Sequence, residues 1–311
     1  MSVIRLSTLT LALALGGAFG APLLASETHQ NPTSHTPEQP VRVIASLPIT
    51  FGLAEILLKG SGVTLERAAP ASLPGSRQAA YFSGRGASEL KQLATSADAV
   101  IGLRSIWPDD PLYPDARRSN IRIVEIDAAR PVDGALPGVA LQPGQNDGLN
   151  SQPWQSSNNL GRMGDVLATD LARLAPSAKA TIDSNLAGFK QRLLKISAEA
   201  EAQLAKADNL SVMSLSERFG YLTSGLNLDL LAVDARPDPQ WTAEALEALQ
   251  KRLKTDDVAV VIAHRDPADA LKAAIRAAGS RLLVLQTDSD DPLGELEGNI
   301  KQVTEALVSG S

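Results

Sequence analysis

One stretch limits the possible folds more than any other. From Asn158 to Ala207 almost every residue is compatible with a helix, and Ile182, Leu186, Phe189, Leu193 and Ile196 recur at spacings of 4, 3, 4 and 3. That period places one apolar stripe along a helix several turns longer than an ordinary crossover. Pro176 marks a break or kink in the first third of the run, or the first turn of a second helix. A run of this length between two regions of different character reads as a spine.

Both flanks alternate short apolar runs with helical segments. On the N-terminal side, VRVIASLP (41–48) reads as a strand and ITFGLAEILLKG as a helix closed by Gly60. VTLERAAP, ADAVIGL and IRIVEIDA are further strands, with ASELKQLATSA a helix between the first two. On the C-terminal side, LSVMSLS (210–216), LDLLAV (228–233), VAVVIAH (258–264) and RLLVLQ (281–286) read as strands. ERFGYLTSGL, TAEALEALQKRLKT, DPADALKAAIRAAG and LGELEGNIKQVTEAL are the intervening and closing helices. In DPADALKAAIRAAG the pattern predicts Asp266 as N-cap, Pro267 at the first helical position and Gly279 as terminator. Strands alternating with helices imply parallel sheets. The expected fold is therefore α/β, with two lobes joined by a long rigid spine helix. The boundaries are a first lobe at 41–157, the spine at 158–207 and a second lobe at 208–311. Residues 128 to 157 form a loop-rich passage inside the first of these.

Aromatic residues make up only 4% of the chain, so Ala, Leu, Val and Ile must build the cores, which favours α/β layers over a β-sandwich. The first 26 residues read as a secretory signal: Arg5, then an apolar stretch, then small residues at Ala25 and Ser26. Residues 27–40 are polar and proline-containing, a disordered tether. There is no cysteine, which excludes disulfides, thiolate metal sites and a lipid-modified cysteine. These features predict a soluble periplasmic protein once the signal is removed. Its removal takes one arginine and no acid, so the net charge of −6 becomes −7, and no basic patch suggests nucleic acid. The motifs G-x-S-x-G, H-E-x-x-H, the P-loop and G-x-G-x-x-G are all missing, so no catalytic centre and no resident cofactor are expected.

The order of VIASLPITFGLAEIL, PGSRQAAY, ASELKQLATSADAVIGL, QPWQSSNNLGRMGDVLATDLARLAP, ERFGYLTSGLNL and DPLGELEGNIKQVTEAL, spread over residues 41 to 308, resembles the cluster A-I substrate-binding proteins of ABC transporters. These are the periplasmic components of zinc and manganese importers. The resemblance implies a cleft between the lobes and an inner-membrane ABC permease as partner. It also implies a metal site, usually three histidines and an acid, and carries those positions onto Ala79, Gln152, Ser216 and Gln286, with Asp288 as the other choice for the acid. None is a histidine. Transition metals want imidazole nitrogen or carboxylate oxygen, which a methyl group, an amide and a hydroxyl do not supply. The three histidines in the chain are His29, His35 and His264, and the first two fall in the tether.

What remains near those positions is Arg77, Gln78, Tyr81, Gln152, Trp154, Ser216, Glu217 and Arg218. Guanidinium forks grip carboxylate or catecholate oxygens and aromatic faces stack on planar rings, so this set suits a metal chelate or ferric siderophore as transported ligand. Some siderophore systems, including those handling pyoverdine, use binding proteins of this family in pairs, and the chain resembles the sibling without metal ligands. Two alternatives stand beside it. One is a bare divalent ion (zinc, manganese or iron) held by a rearranged site that recruits Glu217, Asp288 or His264. The other is a non-transporting metallochaperone or a partner of a better-equipped sibling. Each residue also has a plainer role: Trp154, Tyr81 and Phe219–Tyr221 as packing, Arg77 and Arg218 as solvated charges, His264 as a cap, and Asp288, Asp290 and Asp291 as a solvated turn.

Overall fold

Two four-stranded parallel sheets with the same strand order form the frame of a computed structural model that describes residues 40–134, 136–142 and 148–309. The predicted signal (1–26), the tether up to Gln39, and His29 and His35 lie outside the described residues. The unit that begins at Pro40 carries both sheets.

The first sheet contains β1 (Arg42–Ala45), β2 (Thr64–Arg67), β3 (Ala99–Gly102) and β4 (Val124–Asp127), in the order β2-β1-β3-β4. The second contains β5 (Ser211–Ser214), β6 (Asp229–Val233), β7 (Val260–Ala263) and β8 (Arg281–Val284), in the order β6-β5-β7-β8. In each sheet the chain moves outward from the first strand, then crosses back to its other side. The carboxyl ends of β1 and β3, and of β5 and β7, are therefore topological switch points, where open α/β sheets place their ligands.

Around the first sheet lie α1 (Pro48–Leu58), α2 (Gln78–Ser83), α3 (Ala87–Ser96) and α4 (Leu112–Arg117). Among the described residues the loop-rich passage contains α5 (Gly148–Ser151) and a 3-10 turn, Pro153–Gln155. The helical run then folds as two helices, α6 (Ser157–Leu174) and α7 (Lys179–Leu204), separated by a 3-10 turn at Pro176–Ala178. Proline has no N–H to continue α6, and its fixed φ suits the start of the next turn. The two helices pack antiparallel: Gly164 faces Phe189 and Leu186, and Lys190 Nζ reaches Asp165 at 2.8 Å. The spine proper is thus α7 alone, with α6 braced along it. The second sheet carries α8 (Gly220–Gly225), α9 (Ala243–Thr255), α10 (Asp269–Ala278) and α11 (Pro292–Val308).

Local signals place several helix ends. Pro48 opens α1 and Pro292 opens α11, where Asp291 Oδ1 accepts from the Gly294 N–H at 2.9 Å. Gly279, at φ 90°, closes α10 as expected. The start of α10 differs from the prediction: the helix begins at Asp269 with Ala268 in the N-cap position, so Pro267 lies before it, and Asp266 accepts from Lys272 Nζ at 2.6 Å.

The strands alternate their side chains between two cores. Ile44 and Val100 face an outer cluster with Phe82 and Leu90, while Met213 and Val261 face another with Leu249 and Ile275. Val43, Ala45, Ile101, Val212, Val260 and Ile262 point the other way into one continuous cluster. That cluster includes Leu53 of α1, Ile182, Phe189, Leu193 and Ile196 of α7, and Leu296 and Ile300 of α11. The predicted stripe on α7 is therefore buried against both lobes at once, apart from Leu186, which is only partly buried. At the seam, α1 comes so close to the second lobe that a Cβ on Gly52 would stand 2.0 Å from the Asp290 carbonyl oxygen. Arg67 also pairs there with Asp290 at 2.6 Å.

Candidate ligand site between the lobes

A cavity of 340 Å³ opens between the carboxyl ends of the two sheets. Its first wall is Leu47 and Pro48 after β1 and the loop 71–76 after β2, with Leu149 and Asn150 of α5 beside them. Its second wall is Arg218 after β5 and Asp288 after β8. A larger groove of 660 Å³ lies between α1, α7 and the start of α11, away from the strand ends.

The charge in the cavity comes from the second wall. Ser216 ends the loop after β5, and its Oγ caps the following turn by accepting from the Arg218 N–H at 3.3 Å. This fixes the backbone of Arg218, whose guanidinium donates to an Asp288 carboxylate oxygen and to Thr287 Oγ1 at 3.3 Å. Asp288 sits at φ 66°, in the left-handed region that few non-glycine residues occupy. Its second oxygen accepts from Gln152 Nε2 at 3.0 Å. Gln152 is itself at φ 46° and fully buried.

Behind this pair lies a buried polar network that the sequence reading did not single out. Gln155 Nε2 donates to Glu295 Oε1 at 2.5 Å and to Gln152 Oε1 at 3.3 Å. Gln155 Oε1 accepts from Asn299 Nδ2 at 3.3 Å. Asn299 clamps the backbone of Gln286, accepting its N–H at 2.9 Å and donating to its carbonyl at 2.8 Å. Glu295 Oε2 accepts the Ser289 N–H at 2.7 Å. Burial pushes the Glu295 carboxyl up to about 7, with nearby Asp288 adding to the rise against the bonds from Ser289 and Gln155 and the charge of Arg218. Two spacings carried this network in the sequence: Gln152 and Gln155 in QPWQ, and Glu295 and Asn299 four residues apart on one face of the closing helix.

Of the predicted ligand residues, the structure connects Gln152, Ser216 and Arg218 with Asp288, and only Arg218 and Asp288 line the cavity. The others lie elsewhere. Trp154 is 5% exposed within the shared core, so no ring face is open to stack on a ligand. Tyr81 packs over Gly86 and donates to Glu89 Oε2 at 3.0 Å, because α2 turns that side toward α3. Arg77 and Glu217 are exposed and outside the lining, and so is Ala79. Gln78 is buried, with Nε2 on the Ser46 carbonyl at 3.1 Å and Oε1 unpartnered. Gln286 is held through its backbone by Asn299 and does not line the cavity, whereas Asp288 does. His264, half-buried at the end of β7, has no partner for Nδ1, and burial together with Arg218 and Arg265 lowers its pKa against the pull of Asp288, so the imidazole is neutral at pH 7. Among the described residues no group of three or more His, Cys, Asp or Glu side chains could hold a metal ion.

Two parallel α/β lobes over a shared core, with a cleft at their switch points, have the architecture of a helix-spined substrate-binding protein. Residues 88–310 match the model of the family described as zinc-uptake complex component A, periplasmic, and the chain belongs to that family, whose members are transport proteins and not enzymes. No curated relative matches the chain in sequence. Among solved structures, the fold is similar to FpvC of P. aeruginosa in complex with Ni²⁺, at 20% identity over 88% of this chain and 98% of that one, with a TM-score of 0.64. It is also similar to the Zn(II)-bound ZnuA-like domain of Streptococcus pneumoniae AdcA, at 17% identity over 86% and 99%, with a TM-score of 0.67. The metal-dependent lipoprotein YcdH of Bacillus subtilis matches at 15% identity over 86% and 99%, with a TM-score of 0.65. No helix among the described residues is long and apolar enough to cross a membrane.

Proposed function

We propose that this protein is the periplasmic binding component of an ABC importer in metal acquisition, and that it carries an anionic metal chelate or ferric siderophore between its lobes. The observation that supports this is the guanidinium of Arg218 in the cavity wall, paired with the acid that would otherwise face a cation. A bare divalent ion needs three or four imidazole or carboxylate donors, and a neighbouring positive charge repels it. An anionic chelate brings its own coordination sphere and needs only charge-assisted hydrogen bonds and a shaped wall. The cavity's volume suits one face of such a chelate. Delivery would be to an inner-membrane permease that docks on the lobes.

A second reading, a bare zinc, manganese or iron ion, is favoured by the neutral imidazole of His264 with its unpartnered Nδ1 in the field of Asp288. Calorimetric titration of the mature protein separates the two. The chelate reading expects saturable binding of a ferric siderophore, weakened about tenfold or more by Arg218→Ala, with no saturable binding of Zn²⁺ or Mn²⁺. Micromolar or tighter Zn²⁺ binding that disappears in His264→Ala would overturn it.

A further inference from the structure

We propose that Asp288 is a displaceable internal counterion that determines which ligands the cleft accepts: it neutralises Arg218 when the cleft is empty, and only a ligand carrying its own anionic oxygens can take its place. The inference rests on the chelate reading above and adds the residue that sets its charge selectivity.

Three observations carry it. First, Arg218 and Asp288 pair with each other while both line the cavity, so their contact is reachable from the ligand space. Their side chains are 26% and 51% exposed, which keeps the pair wet enough for exchange. Second, the loop around Asp288 is fastened on both sides. Gln286 is clamped by Asn299, Ser289 is held by Glu295, Asp290 is paired with Arg67, and Asp291 caps α11. Exchange therefore needs a rotation of the Asp288 side chain and no movement of the loop. Third, Asp288 has a second partner in Gln152 Nε2, so it retains a hydrogen bond after giving up the guanidinium.

A guanidinium binds planar dianionic or bidentate oxygen pairs better than a single carboxylate oxygen. A carboxylate or catecholate chelate can thus outcompete Asp288, whereas a neutral chelate cannot and a bare cation would be drawn to Asp288 itself.

The test is titration of wild type, Asp288→Asn, Arg218→Ala and the double variant with ferric citrate, a ferric catecholate, metal-free citrate, a neutral ferric trihydroxamate and Zn²⁺. Asparagine tolerates the left-handed backbone, and Asp288→Gly, which adopts it freely and removes the carboxylate, serves as a second variant should the first misfold. The expected result is that Asp288→Asn tightens at least one anionic probe by about two- to tenfold, leaves the trihydroxamate unchanged, and loses its effect when Arg218 is absent. Binding of ferric citrate but not citrate identifies the chelate as the cargo; equal tightening of both identifies the free carboxylate. If anionic chelates bind but Asp288→Asn leaves them unchanged or weaker, the counterion role is overturned and the chelate reading stands. If no anionic probe binds either protein, or if Zn²⁺ binds and Asp288→Asn abolishes it, both fail.

Discussion

The two lobes repeat one strand order yet meet the cleft with opposite chemistry. The first lobe offers apolar and small residues, Leu47, Pro48 and the loop 71–76, with no charged side chain among the described residues of that wall. The second offers Arg218 and Asp288 on a loop held by a buried network of Gln152, Gln155, Glu295 and Asn299. The difference teaches that a repeated scaffold need not repeat its function. Here one lobe gives the cleft its shape and the other its charge, and the second needs the heavier internal support because charges must be held against water and against each other.

The largest expected effect probes that support. The Glu295 carboxyl lies at about 7, above the ordinary 4.5, so the folded protein holds its proton more tightly than the unfolded chain does. Its contribution to stability is whole below pH 4.5, falls as pH rises, and is gone above about 7. Glu295→Gln should therefore raise the melting temperature at pH 8, by up to roughly 3 kcal/mol of stability less about 1 for an imperfectly replaced hydrogen bond. The gain should vanish toward pH 5. A variant less stable than wild type at pH 8 would show that the ionised carboxylate stabilises the charged wall.

An effect of similar size tests the seam that holds shape and charge together. Gly52→Ala places a methyl group against the Asp290 carbonyl and Pro292. It should cost about 1–3 kcal/mol in denaturant unfolding by overpacking. Unchanged stability would mean that the lobes separate there without penalty, and that α1 does not fix the position of the loop bearing Asp288.

The smallest effect sharpens the division itself. Arg77→Ala and Tyr81→Phe, both on the first lobe, should leave siderophore affinity within about twofold of wild type, since neither lines the cavity. A tenfold loss on Arg77→Ala would show that the first lobe contributes charge after all.

The fold was largely legible in the chain. Short apolar runs and the 3.6-residue period do not depend on distant partners, so the strands named above and the apolar stripe of α7 could be read directly. The start of α10 could not, because the helix begins at Asp269, two residues past the position that the Asp-Pro signal marks. The site was legible only in part. Gln152, Ser216, Arg218 and Asp288, all named from the sequence, are connected by hydrogen bonds in the structure. Trp154 and Tyr81 were drawn into the ligand set because an aromatic residue near a cleft has the same spelling whether its ring faces the ligand or the core.

By itself the sequence determined two parallel α/β units around a long helix, the lack of thiol chemistry and the scarcity of histidine, since these follow from composition, period and residue identity. Only the tertiary structure decided which side of each residue faces the cleft, that Arg218 meets Asp288 there, and that Glu295 is buried beneath them. Those outcomes depend on contacts between residues seventy to well over a hundred positions apart, and no local pattern encodes the direction of a side chain across such a distance.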